Sequence, residues 1–237
     1  MKTYLDCYPC FLRQALSAAR RAQATVEQQR QILLDTMDLL QALSPQATPP
    51  VMAERIHRMV RARTNTPDPY RQSKQDATAQ ALGLLPELRD RVRTASDPLE
   101  TAVRIAIAGN IIDDGAAEQY DLQATLARVL EQPFAIDGLP QLRQALSTVD
   151  AVLYLADNAG EIPLDSLLVE HLPRGRVTVA VRGSPVINDA TLDDAHAVGL
   201  AKWATLIDNG SDAPGTLLGD CSEAFRTAFA RADLIIA

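Results

Sequence analysis

Residues 151–161 read AVLYLADNAGE: an apolar run, AVLYLA, followed at once by Asp157, Asn158, Gly160 and Glu161. The run is short and rich in β-formers, so it reads as a buried strand that ends on a polar turn. RVTVAV (176–181), KWATLI (202–207) and DLIIA (233–237) repeat the pattern, with helical stretches between them at about 163–172, 190–198 and 221–231. Strands alternating with helices predict a parallel sheet with right-handed crossovers.

Upstream the period changes to that of helices. Pro9 opens a helix whose face carries Phe11, Leu12, Ala15, Leu16 and Ala19. Thr25 and Gln28 form a capping-box pattern ahead of Ile32, Leu33, Met37, Leu40 and Leu43. Met52, Ile56, Met59 and Val60 repeat at helical spacing, and RTNTPDPY is a loop by its prolines. A helix from about Gln72 is expected to stop near Gly83. Asp97, Pro98 and Glu100 mark the start of another, which Gly109 is expected to break or bend near Asn110 and Asp113. The fold class expected is α/β: a helical bundle over 1–95, then a doubly wound three-layer α/β/α domain with a mainly parallel sheet over 96–237.

The 237 residues are 47% hydrophobic, ample for a core, and carry a formal charge of −7. That balance argues against a general nucleic-acid partner, which needs a basic face. No stretch approaches the ~20 apolar residues of a membrane span, and the N-terminus lacks the apolar centre of a signal peptide. Three unevenly placed cysteines, Cys7, Cys10 and Cys221, make no disulfide framework, so a cytoplasmic protein is expected.

In open parallel sheets, ligands bind beyond the carboxyl ends of the strands. Three such ends here carry polar clusters: Asp157, Asn158, Gly160 and Glu161; then Arg182, Gly183, Ser184, Asn188 and Asp189; then Asp208, Asn209, Gly210, Ser211 and Asp212. Each alone is an ordinary turn, and Asp189 could serve merely as the cap of the next helix. Three in register favour a ligand site. Converging carboxylate and amide oxygens suit a hard divalent cation such as Mg²⁺ or Mn²⁺, which would let a phosphate bind to an acidic protein. Arg182 could add a planar donor, and the glycines could bring backbone N–H groups close to an anion.

GNIID (109–113), DNAGE (157–161), VRGSPVINDAT (181–191) and DNGSD (208–212) occur in the order seen in the metal-dependent damage-control phosphatases. CYPC (7–10) and DPYRQSK (68–74) resemble the cysteine-containing, largely prokaryotic branch, and the likeness runs from about residue 3 to the end. The resemblance implies hydrolysis of small phosphorylated metabolites with Mn²⁺, Mg²⁺, Co²⁺ or Ni²⁺. By position it assigns the metal to Asp157, Asn158 and Asp189, the residues already selected at the strand exits. Glu161 is the expected base or water-positioning group, with Asn110 and Asp113 as further catalytic candidates. Arg182, Gly160, Gly183, Ser184 and Asp208 are the expected substrate contacts. The family's lysine- and glycine-containing loop does not follow ADLIIA, from which weakened turnover is expected, or a non-catalytic metal and metabolite-binding module. A third reading makes Cys7 and Cys10 a redox pair; as a zinc half-site they lack a partner CxxC. His57, His171 and His196 have no ligand spacing, Ser184 lacks a nucleophile elbow, and RIHRMVRAR reads as a solvated face.

Overall fold

The computed structural model describes residues 2–44, 46–113 and 122–237, with the side chains of 111–113 and 122–125 outside that set. Helices α1 (Cys7–Arg21), α2 (Val26–Gln41) and α3 (Pro49–Thr64) pack on one another around Phe11, Ala15, Ile32, Leu40, Met52, Ile56 and Val60. The capping box of α2 forms as its sequence dictates, with Thr25 accepting from Gln28 N–H. Met37, expected on the buried face of α2, is 43% exposed.

Helix α4 (Arg71–Thr94) runs through both Gly83 and Pro86. A Cβ at Gly83 would meet nothing within 4 Å, so that position faces away from packing and serves as no stop. Gly and Pro together weaken the helix, but Leu85, Leu88 and Val92 on its other face enter the core of the sheet domain. At ~1.5–3 kcal/mol per buried large apolar side chain, that burial wins. Helix α5 (Pro98–Asp113) likewise passes unbroken through Gly109, whose bare Cα lies against Leu164 and Glu161. Asp97 caps it, accepting from Glu100 N–H at 3.1 Å. Helices α6 (Leu122–Glu131) and α7 (Leu139–Thr148) lead into the sheet.

Strands β1 (Val152–Leu155), β2 (Val177–Val181), β3 (Thr205–Asp208) and β4 (Leu234–Ile236) are all parallel, in the order β3-β2-β1-β4. β3 begins later than KWATLI implied, because the positive φ of Gly199 ends the preceding helix and a single 3-10 turn (Leu200–Lys202) takes up Lys202. Helices α8 (Ile162–Val169), α9 (Leu192–Val198) and α10 (Glu223–Arg231) fill the connections. Side chains alternate across the sheet. Val152, Tyr154, Val177, Val179 and Val181 share a core with α4, α5 and α8, whereas Leu153 and Ala180 meet Phe225 of α10 on the opposite face. The order reverses between β1 and β4, the place where open α/β sheets leave a crevice. Among the described residues, no helix is long and apolar enough to cross a membrane.

Candidate functional site

The exits of β1 and β2 are stitched together by the backbone. Ala159 N–H donates to Asn188 O at 2.9 Å and Ala190 N–H to Asp157 O at 2.7 Å, setting Asn158 opposite Asp189 in an antiparallel bridge. Asp157, Asn158 and Asp189, far apart in sequence, thus share one short paired segment. Helix α9 is capped by Thr191 with Asp194, so Asp189 is not needed as its cap. Arg182, 6% exposed, donates through Nε to Asp189 Oδ2 at 2.6 Å and through Nη2 to Asp157 Oδ1 at 3.2 Å.

Beside this bridge lies a cavity of about 590 Å³ at the β1–β4 crevice, walled by apolar side chains such as Val103, Ile107, Leu168 and Ile236. Its polar lining includes Asn110, Asp157, Glu161, Asp165 and Arg182. Glu161, 5% exposed at the start of α8, accepts from Asn158 Nδ2 at 2.5 Å, so that amide's nitrogen faces Glu161 and its oxygen is left for other uses. Asp165 follows one helical turn later and bonds to the Tyr154 hydroxyl. Burial pushes its carboxyl up to about 7; the Tyr154 bond opposes this, and the charges of Glu161 and Asp157 add to it. Burial, then the Asp165 charge, hold the Tyr154 phenol well above its ordinary value. With Asp189, four carboxyl groups are gathered here, and Arg182 is the cation among the described residues lining the cavity.

The third loop closes against the second. Gly183 N–H donates to Ser211 O at 2.9 Å and to Asn209 Oδ1 at 3.1 Å. A Cβ at Gly183 would stand 2.7 Å from the Gly210 backbone, so only glycine fits. Its N–H is therefore spent on the loop contact rather than turned towards an anion. Asp208 accepts from Gly210 N–H at 2.9 Å within its own turn, and Ser184 is exposed. The side chain of Asp113 lies outside the described residues.

A second acidic group, Glu54, Asp212 and Asp220, has carboxylate oxygens within 4.8 Å of one another. Arg58 reaches all three, at 2.5, 2.5 and 3.7 Å, and Arg61 pairs with Asp212 as well. Burial raises the Asp212 carboxyl, but Arg58 and Arg61 outweigh it and hold the pKa below the ordinary value. Guanidinium groups already fill the role a cation would take there. Cys7 is half-buried against the helical core and Cys10 is exposed, both as free thiols.

Residues 3–237 match the damage-control phosphatase ARMT1-like domain family. The chain belongs to this family. It is 33% identical to an uncharacterized protein of Methanocaldococcus jannaschii over 98% of this chain and 79% of that one. It is 35% identical to a damage-control phosphatase of Archaeoglobus fulgidus over 78% of this chain and 66% of the relative. The crystal structure of a DUF89 family protein from Pyrococcus horikoshii superposes with a TM-score of 0.89 at 28% identity, covering all of this chain and 84% of the other. Phosphatase chemistry is thus the function carried at the level of the family.

Within this damage-control phosphatase fold, sequence reasoning missed Asp165 and Tyr154. A signal existed: Asp165 interrupts the otherwise apolar helix IPLDSLLV, where an acid at full burial needs a reason. Thr78, whose hydroxyl donates to Ala159 O at 3.0 Å, and Lys74, buried between Asp68 and Asp194, gave no comparable local sign.

Proposed function

We propose that this chain is a divalent-metal-dependent phosphatase acting on phosphate monoesters of small metabolites, with Asp157, Asn158 and Asp189 as the metal ligands. The observation that carries the reading is the charge imbalance: three carboxyl groups line one cavity and a fourth, Asp189, pairs with Arg182, the cation of that lining among the described residues. An all-oxygen donor set with excess negative charge suits Mg²⁺ or Mn²⁺, with Co²⁺ and Ni²⁺ as substitutes. Held by Asp157, Asn158 and Asp189, such an ion would supply the charge to polarise a phosphoryl oxygen and acidify a water.

The chain's own residues supply the rest. Glu161, held by the Asn158 amide, is set to orient a water or take its proton. Asp165, with a pKa near 7, can keep its proton behind Glu161 and so limit repulsion among the carboxylates. Arg182 steadies Asp157 and Asp189 and could exchange part of that pairing for a phosphoryl oxygen. Asn110, on the cavity lining, is the donor we assign to the substrate, with the Gly160 N–H as a second assignment, and the apolar wall encloses its remainder while restricting water.

Turnover of a generic phosphate ester should require added divalent metal and vanish with chelator. Asp157→Ala and Asp189→Ala should each lower it by ~10²–10³-fold or more. Chelator-resistant turnover, or undiminished turnover in either folded variant, overturns the reading.

A further inference from the structure

All three strand-exit loops are held from outside the sheet, by helices α3 and α4. Thr78 of α4 donates to Ala159 O in the first loop. Arg61 of α3 donates to Pro185 O at 2.9 Å in the second, and Lys74 of α4 pairs with Asp194 just beyond it at 3.2 Å. Arg58 and Arg61 grip Asp212 in the third. One contact in this set is unlike the others. Ile187, two residues before Asp189, has a φ of +46°. That left-handed region strongly disfavours a β-branched residue.

Asp189 N–H donates to Val186 O at 3.1 Å, closing a tight turn over Val186–Asp189 with Ile187 in its second position. Turns with positive φ there ordinarily use glycine or asparagine. The isoleucine side chain instead packs against the core of the helical bundle, the cluster that holds Met52, Ile56 and Val60. Glycine would satisfy the turn, but it could not reach the bundle. The next residue, Asn188, offers the carbonyl that accepts from Ala159 N–H, and Asp189 follows as the bridge partner of Asn158.

We propose that Ile187 is a positioning residue: its side chain, anchored in the helical bundle, fixes the turn that pairs the Asp189 loop with the Asp157–Asn158 loop. The helical bundle then belongs to the site, because its core sets the separation of the two loops. The proposal rests on the preceding section only in treating those loops as the working part of the molecule. Backbone strain of this kind persists where the surroundings over-determine it, as the bundle core on one side and the bridged loops on the other do here.

Amide hydrogen exchange in the full-length, metal-free protein tests the anchor directly. In Ile187→Gly, the amides of Ala159 and Ala190 should exchange at least ~10-fold faster, while Val179 in the central strand β2 stays within about threefold of wild type. Ile187→Val, which keeps the branched anchor, should leave Ala159 and Ala190 unchanged. Mn²⁺ affinity, read by calorimetry without substrate, should fall ~10–100-fold in Ile187→Gly and stay near wild type in Ile187→Val. Unchanged Ala159 and Ala190 exchange in Ile187→Gly overturns the proposal, as does acceleration shared equally by Val179, which would mark an ordinary core residue. A wild-type protein that binds no Mn²⁺ would count against the metal reading, while the exchange data would still decide the role of Ile187.

Discussion

Two groups of acidic residues stand at the carboxyl ends of the strands, and they are balanced differently. Glu54, Asp212 and Asp220 meet Arg58 and Arg61, and two elements that need fastening, α3 and the β3–α10 loop, are joined as a result. Asp157, Glu161 and Asp165 line a cavity of about 590 Å³ together with Arg182, which pairs with Asp157 and with the buried Asp189. Carboxylate clustering alone does not separate a fastening from a site. What differs is the ratio of charges and the presence of room for a ligand. Burial, with the charges of Asp220 and Asp212, raises the Glu54 carboxyl in the first group too, but Arg58 and Arg61 are there to meet it; in the second, burial with the charges of Glu161 and Asp157 carries Asp165 up to about 7 beside room for a ligand.

The largest expected effect compares removal of one acid from each group. Asp189→Ala should lower phosphate-ester turnover by ~10²–10³-fold or more, whereas Asp212→Ala should cost less than ~10-fold, through loosening of the third loop. Equal losses in steady-state assays of the folded variants would erase the distinction. Removing the arginines sharpens it further. Arg182→Met removes the guanidinium paired with the buried Asp189 carboxylate and should destabilise the metal-free protein by about 2–4 kcal/mol. Saturating Mn²⁺ should restore much of that in a thermal melt. Arg61→Met leaves Asp212 with Arg58 and should cost less, about 1–2 kcal/mol, with no recovery on adding Mn²⁺. Recovery of both variants, or of neither, would contradict the contrast.

The first group was only partly visible in sequence: Arg55, Arg58 and Arg63 are exposed as a solvated face should be, but the acids that Arg58 and Arg61 meet were hidden. RIHRMVRAR reads as a solvated helix face, because periodicity cannot report that Arg58 and Arg61 meet Asp212 from about 150 positions away. The second group was legible at its centre. Polar residues placed directly after an apolar strand are conspicuous, so Asp157, Asn158, Glu161, Arg182 and Asp189 stood out before any coordinates. Their supports did not. Lys74 pairs with a residue 120 positions on and Thr78 with one 81 positions on, and neither type is unusual on a helix surface. The parallel sheet followed from alternation alone, while the length of α4 did not, since burial of Leu85, Leu88 and Val92 overrode two local breakers. Local rules picked out the residues gathered at the strand exits better than the residues that hold them still.

The smallest net effect is in the pH dependence of wild-type stability, where each acidic neighbourhood leaves its own sign. Asp165 has an ordinary value of 3.8 raised to about 7, so the folded state holds that proton more tightly than the unfolded chain does. Between those values it withdraws stability as pH rises, by up to ~1.4 kcal/mol per pH unit. His57 lies beside Arg61 on the other side, buried at 2% exposure and edge-on to Tyr70. Burial first, and then the Arg61 charge, lower its pKa from 6.5 to about 4, so the unfolded chain binds the proton better and stability rises with pH across that window. Over roughly pH 4–6.5 the two slopes oppose each other, and their sum in the wild type is expected to be nearly flat. Asp165→Asn should expose the rising His57 slope, and His57→Phe the falling Asp165 slope, in urea unfolding of metal-free protein at stepped pH. Parallel profiles for the two variants would mean that charge crowding at the cavity and charge balance at the helical bundle do not differ in the way the geometry requires.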